Sequence, residues 1–142
     1  MDLSLPLLLS LPDSELAALE WPGPEGILLL RLAVAQVEQR PAGEPRGIQG
    51  YSRGVVLRLH QARIERLDDA DGPLLGRIGA ESALRVGPQR RAGLLPLPGT
   101  IAGPLHLELV MAQGGWLLAA GGGLELAFEA GVAPNFRELL AC

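Results

Sequence analysis

Leucines recur at alternate positions along much of this chain with polar residues between them, as at Leu28, Leu30 and Leu32, at Leu57 and Leu59, and at Leu105, Leu107 and Leu109. Period two is what a β-strand shows when one face of its sheet is buried and the other is solvated. The stretch Leu30–Glu38 is nearly repeated at Leu57–Glu65, and its opening pattern returns at Leu107–Gln113. The unequal spacing of these echoes argues against a solenoid and for one strand pattern used more than once.

Glycine and proline interrupt the chain so often that only Ile27–Arg40 and Val55–Asp71 run well beyond ten residues without either. Leucine is a better helix former than strand former, so period has to arbitrate in these two stretches. In the first, Leu28, Leu30, Leu32 and Val34 share one parity before Val37 takes the other. In the second, Leu57 and Leu59 share one parity before Ala62 and Ile64 switch. A strand carrying a bulge accounts for both.

Clean alternation over Leu105–Met111, the turn signal Gln113-Gly114-Gly115, and Trp116, Leu118 and Ala120 beyond it predict a β-hairpin. The glycines at 121 to 123 read as further hairpin punctuation before one more amphipathic strand with Leu124, Leu126 and Phe128. Weaker strands are expected at Gly76–Ile78 and Ala83–Val86, with a short edge piece at Leu94–Leu97, where prolines cannot donate to a ladder. Near the start, Asp13 or Ser14 is placed to cap a one- or two-turn helix over Glu15–Glu20. The proline- and glycine-rich stretch Arg40–Gly50 is expected to be a long mobile loop. The predicted architecture is one all-β domain over residues 1–142, an antiparallel sandwich or partly closed barrel of about seven to nine strands with a short N-terminal helix. Jelly-roll-like and open-barrel versions fit equally.

Composition narrows the chemistry. The single cysteine, Cys142, allows no internal disulfide and no thiol-based structural zinc site, which fits a reducing compartment. All twelve basic residues are arginine, so Schiff-base and P-loop lysine chemistry are absent. A net charge of −4 and only five aromatic residues argue against nucleic-acid binding. The leucine-rich start lacks a positive n-region and is broken by Pro6 and Pro12, unlike a signal peptide, and no apolar run approaches the roughly 18 to 20 residues of a membrane span. A cytoplasmic protein with neither nucleic-acid nor membrane partners is expected.

The chain resembles a group of small uncharacterised bacterial proteins. The resemblance rests on Gly76-Arg77-Ile78, on Leu95-Pro96-Leu97-Pro98 with the strand-rich hairpin after it, and on the ending Phe136-Arg137-Glu138-Leu139-Leu140-Ala141-Cys142. It covers roughly the whole chain and implies no activity, ligand or site residue.

Several constellations bear on chemistry. Gly50-Tyr51-Ser52-Arg53-Gly54 matches the G-x-S-x-G pattern, and Asp68 or Asp69 followed by His106 falls in the Ser, Asp, His order of α/β-hydrolases. That nucleophile needs a strand-to-helix elbow, whereas a loop is expected before Ser52 and a strand after it. Asp68-Asp69-Ala70-Asp71-Gly72 has the look of a calcium loop. Aligned to the EF-hand pattern, however, it puts Leu67 first and Ile78 twelfth, where carboxylates are essential. His60 and His106 lie opposite the leucine face and would form a metal pair only with ligands such as Glu65, Glu108 or the aspartate turn. Glu108, Glu125 and Glu129 are candidate paired carboxylates, although alternation places acids on the wet face in any case. Arg77, Arg85, Arg90 and Arg91 form either an anion patch or a solvated loop. Cys142 has no neighbouring base or activating charge in sequence.

No convincing reactive group emerges and no cofactor is predicted. A non-catalytic binding or protein-interaction module is expected, partnering itself as a homo-oligomer or another protein. The alternatives are a small-ligand carrier with an apolar cavity and, behind it, a small hydrolase using Ser52.

Overall fold

The computed structural model describes residues 7–40 and 47–139. Among them there is no helix; twelve strands form one antiparallel sheet that curls into a half-barrel. They are β1 (Leu7–Glu20), β2 (Leu28–Gln39), β3 (Ile48–Ser52), β4 (Val55–His60), β5 (Arg63–Asp68), β6 (Gly76–Arg77), β7 (Ala83–Val86), β8 (Gln89–Arg91), β9 (Leu95–Leu97), β10 (Gly99–Val110), β11 (Trp116–Phe128) and β12 (Arg137–Glu138).

Three of these strands act as one. β3 and β4 pair in turn with the two ends of β2, while β4 and β5 pair in turn with the two ends of β11. Chain 48–68 is therefore a single interrupted strand, broken at Arg53-Gly54 and again at Gln61-Ala62. Gln61 sits at a φ of 52°, and this break produces the parity switch expected in Val55–Asp71. The other expected bulge lies at Ala33, the extra residue between Leu32, opposite Leu16, and Val34, opposite Glu15. After it, buried positions move from Leu28, Leu30 and Leu32 to Ala35 and Val37.

The expected helix over Glu15–Glu20 is corrected to the second half of β1. Leu7, Leu9, Leu11 and Leu16 are all buried in the core, and pairing with β2 along nearly its whole length overrides the local helix preference. Asp13, at a φ of 70°, and Pro12 form a bulge, and Ser14 serves as a bridge within the sheet in place of a cap. The expected loop Arg40–Gly50 is likewise replaced from Ile48 onward by β3; residues 41–46 lie outside the described ones, so the mobility expected there does too.

The β10–β11 hairpin forms, but Leu117 and Ala119 point inward, and Trp116, Leu118 and Ala120 face out. The turn sets Leu109 opposite Leu117 and Leu107 opposite Ala119, which leaves the tryptophan's parity on the wet side. Gly121–Gly123 do not punctuate a hairpin; they lie inside β11. There they face a bulge at Gly103-Pro104 in β10, and a Cβ on Gly103 would stand 2.6 Å from the carbonyl oxygen of Gly122. Bulges and strand-interior glycines bend and twist a sheet, and this pair marks where the hairpin curls.

The curl brings the ends of the sheet together. Arg77–Gly79 bonds β1 through Ile78, whose N–H donates to the Ser14 carbonyl at 2.8 Å and whose carbonyl accepts the Asp13 N–H at 3.0 Å. On its other side, the Gly79 N–H donates to Val110 at 2.7 Å and the Ala112 N–H to Arg77 at 2.9 Å. β9 pairs with the start of β1, occupying the edge position expected of it. The concave face is filled by leucines of β1, β2, β4, β9, β10 and β11, which pack as one cluster.

Candidate functional site

Ser52 ends β3 on the face shared with Gly50, opposite Ala35 and Val37 of β2, so its side chain enters the core and is fully buried. Its hydroxyl donates to the Asn135 carbonyl at 2.6 Å. The Asn135 amide in turn accepts the Arg53 N–H at 2.8 Å and donates to the Arg53 carbonyl at 2.9 Å. Together these bonds fasten the segment before β12 to the β3–β4 junction. A strand, not a loop, precedes the serine, and β4 follows it, so no helix N-terminus faces its oxygen. Gly54 of the same motif has a φ of 71°, and a Cβ there would stand 2.6 Å from Val132 Cγ1. Turn geometry and packing thus account for this glycine.

His60 and His106 are on the outward face, because Leu59, Leu105 and Leu107 beside them point inward. His60 lies opposite Gly123 and His106 opposite Ala120, with β11 between them. Two strand spacings across and three residues along put them about 14 Å apart. Each has its own carboxylate. His60 Nε2 is 3.4 Å from Glu125 Oε1, which Arg58 approaches at 3.8 Å. His106 Nε2 is 3.0 Å from Glu65 Oε1, and Arg63 reaches the other oxygen of Glu65 at 3.4 Å. The sheet itself separates Ser52 from both imidazoles.

The aspartate run is a solvated turn. Asp68 closes β5 opposite Trp116 and accepts the Ala70 N–H through Oδ1 at 3.2 Å, while the Asp69 carbonyl accepts the Gly72 N–H at 3.0 Å. Asp68, Asp69 and Asp71 are all exposed. Among the described residues, no three His, Cys, Asp or Glu side chains come together as metal ligands. Cys142 lies outside the described residues.

The remaining carboxylates are spread over the outward face. Glu108 binds Arg85 at 2.7 Å, and Glu129 pairs with Arg31, which also holds Glu20 at 2.9 Å. Seven residues along β11 separate Leu118, the partner of Glu108, from Glu125, roughly 20 Å, well beyond the ~5–9.5 Å of glycosidase pairs. The four arginines expected in a patch or a loop all belong to strands, Arg77 to β6 and Arg85 to β7. Arg90 and Arg91 lie in β8 and donate to the carbonyls of Glu81 at 2.7 Å and Leu94 at 2.8 Å.

The arrangement offers two exposed His–Glu pairs, each on its own part of the convex face. A shallow hollow of about 430 Å³ beside His60 is lined by Thr100, Ala102, Gly123 and Glu125. Asn135 belongs to no motif in the sequence, and its only local signal is its place after Ala133-Pro134, a turn context in which an asparagine amide often bonds nearby backbone. No protein-family model, curated protein or solved structure matches the chain. No helix among the described residues is long and apolar enough to cross a membrane.

Proposed function

We propose that this chain is a non-catalytic protein-interaction module whose first partner is a second copy of itself. The observation that carries the reading is the division of candidate groups by the sheet: Ser52 is buried on the concave side, and His60 and His106 are on the convex side with separate glutamates. Catalysis by a serine needs its base within hydrogen-bond reach. The leucine-packed concave face weighs against the small-ligand carrier, which requires an empty apolar interior.

Contact surface is available elsewhere. Trp21 is 47 % exposed, and Leu75 beside it is 42 % exposed. They share a hollow with Ala17, Leu19 and Pro73, alongside the last residues of β1, whose outer edge has no ladder partner beyond Leu16 among the described residues. Free edges with apolar neighbours are pairing surfaces.

Sedimentation velocity over a concentration series tests this. Self-association that weakens in Trp21→Ser supports the reading, and a monomer at every concentration overturns it. Ester hydrolysis by the wild-type chain that disappears in Ser52→Ala would establish the hydrolase in its place.

A further inference from the structure

At the edge of the sheet formed by β3 and β12, Tyr51, Arg53, Asn135, Phe136 and Arg137 line a hollow of about 330 Å³. Tyr51 and Arg137 are direct cross-strand partners, so their side chains share one face, and the Arg53 guanidinium lies over the Tyr51 ring at 5.6 Å from its centre. Arg31, Arg40, Arg58, Arg63 and Arg85 have carboxylate partners; Arg53 and Arg137, like Arg66, Arg77, Arg90 and Arg91, have none among the described residues, and of these six only Arg53 and Arg137 share this hollow. Two cations with no carboxylate partner among the described residues therefore flank one hollow in a chain whose net charge is −4.

The floor beneath them is fixed. Asn135 spends its amide on both backbone groups of Arg53, its carbonyl is held by Ser52, and the Phe136 ring packs so closely over Gly50 that a Cβ there would stand 2.7 Å from it. Only the guanidinium ends remain to adjust. Arginine forks match tetrahedral oxyanions bidentately, and two of them suit a dianion better than a single negative charge. The volume lies at the low end of the roughly 300–1,000 Å³ typical of small-molecule sites.

We propose that Arg53 and Arg137 form a binding site for the phosphate group of a small phosphate monoester, with Tyr51 and Asn135 setting its walls. This site is separate from the Trp21 surface and does not depend on self-association.

The test is a titration of the full chain, followed by backbone amide NMR at about pH 8, where a phosphate monoester is dianionic. The probes are inorganic phosphate, phenyl phosphate, and acetate at matched ionic strength. Saturating shifts centred on Arg53, Asn135 and Arg137 are expected with both phosphates, and no saturation with acetate. Arg53→Gln and Arg137→Gln should each weaken phosphate binding about tenfold, the loss of one charge-assisted contact, with Arg90→Gln leaving it unchanged. Shifts that scatter over the surface, that acetate reproduces, or that survive both substitutions overturn the proposal. Should one variant fail to fold, the wild-type comparison of phosphate with acetate still decides.

Discussion

Ser14 Oγ accepts the Gln36 backbone N–H at 2.9 Å and donates to the Ser10 carbonyl at 2.7 Å, closing a gap that the Pro12–Asp13 bulge opens between β1 and β2. The ladder runs from Ser10 opposite Gln36 directly to Glu15 opposite Val34, and the main-chain acceptor opposite that N–H, the Ser10 carbonyl, bonds the Ser14 hydroxyl instead. The fully buried hydroxyl takes its place. Ser14→Ala should cost about 1–3 kcal/mol, because the amide keeps its desolvation without its partner. Urea unfolding measures the loss, and an unchanged midpoint would show that another acceptor fills the gap.

Gly121 is a packing glycine. A Cβ there would meet Leu59 Cγ at 2.6 Å and the His60 carbonyl at 3.0 Å. Gly121→Ala should therefore destabilise the fold by about 1–3 kcal/mol, the usual cost of overfilling a packed site. Gly23, which has nothing within 4 Å, is the control, and Gly23→Ala should leave the thermal midpoint nearly unchanged.

The same glycines show how far sequence carries. Alternating leucines of β2, β4 and β10 declared their strands, and the two parity switches located the Ala33 bulge and the Gln61 break, since period two is a local signal. The direction of Gly121–Gly123 was not local. A glycine run reads identically whether it turns a hairpin or bends a strand, and only the bulge at Gly103-Pro104, pairing from eighteen residues away, decides. β1 failed as a strand on paper for a related reason: Ser14 and Glu15 carry helix-start signals, and the pairing that overrules them lies in β2. Site legibility was poorer still. G-x-S-x-G specifies residue types without the face on which the serine lands, and here the face decides its chemistry.

Ile78 tests the closure of the half-barrel. It is fully buried and bridges to Met111 while its backbone bonds β1. Ile78→Ala should cost about 2–5 kcal/mol, as large-to-small core changes do. Hydrogen exchange should also speed up at Gly79 and Ala112, the two amides that tie this segment to β10, before it does so at β4.

The convex-face ion pairs should matter little to stability. Glu65 keeps 31 % of its side chain exposed and His106 keeps 47 %. Glu65→Gln should change the unfolding free energy by less than about 1 kcal/mol, and added salt should shrink the difference further. A larger loss in calorimetry would assign the pair a role that exposure does not explain.

Because chain 48–68 serves β2 along one edge and β11 along the other, neither half of the sheet has a complete neighbour without it. A defect introduced at Val56, where Arg31 and Ala127 flank the same residue, propagates to both sides at once. Such an arrangement favours all-or-none melting over stepwise loss of subunits of structure. It also makes the slow step of folding the recruitment of this shared strand, some of whose partners lie more than seventy residues away in the chain and must be gathered before either half is rewarded.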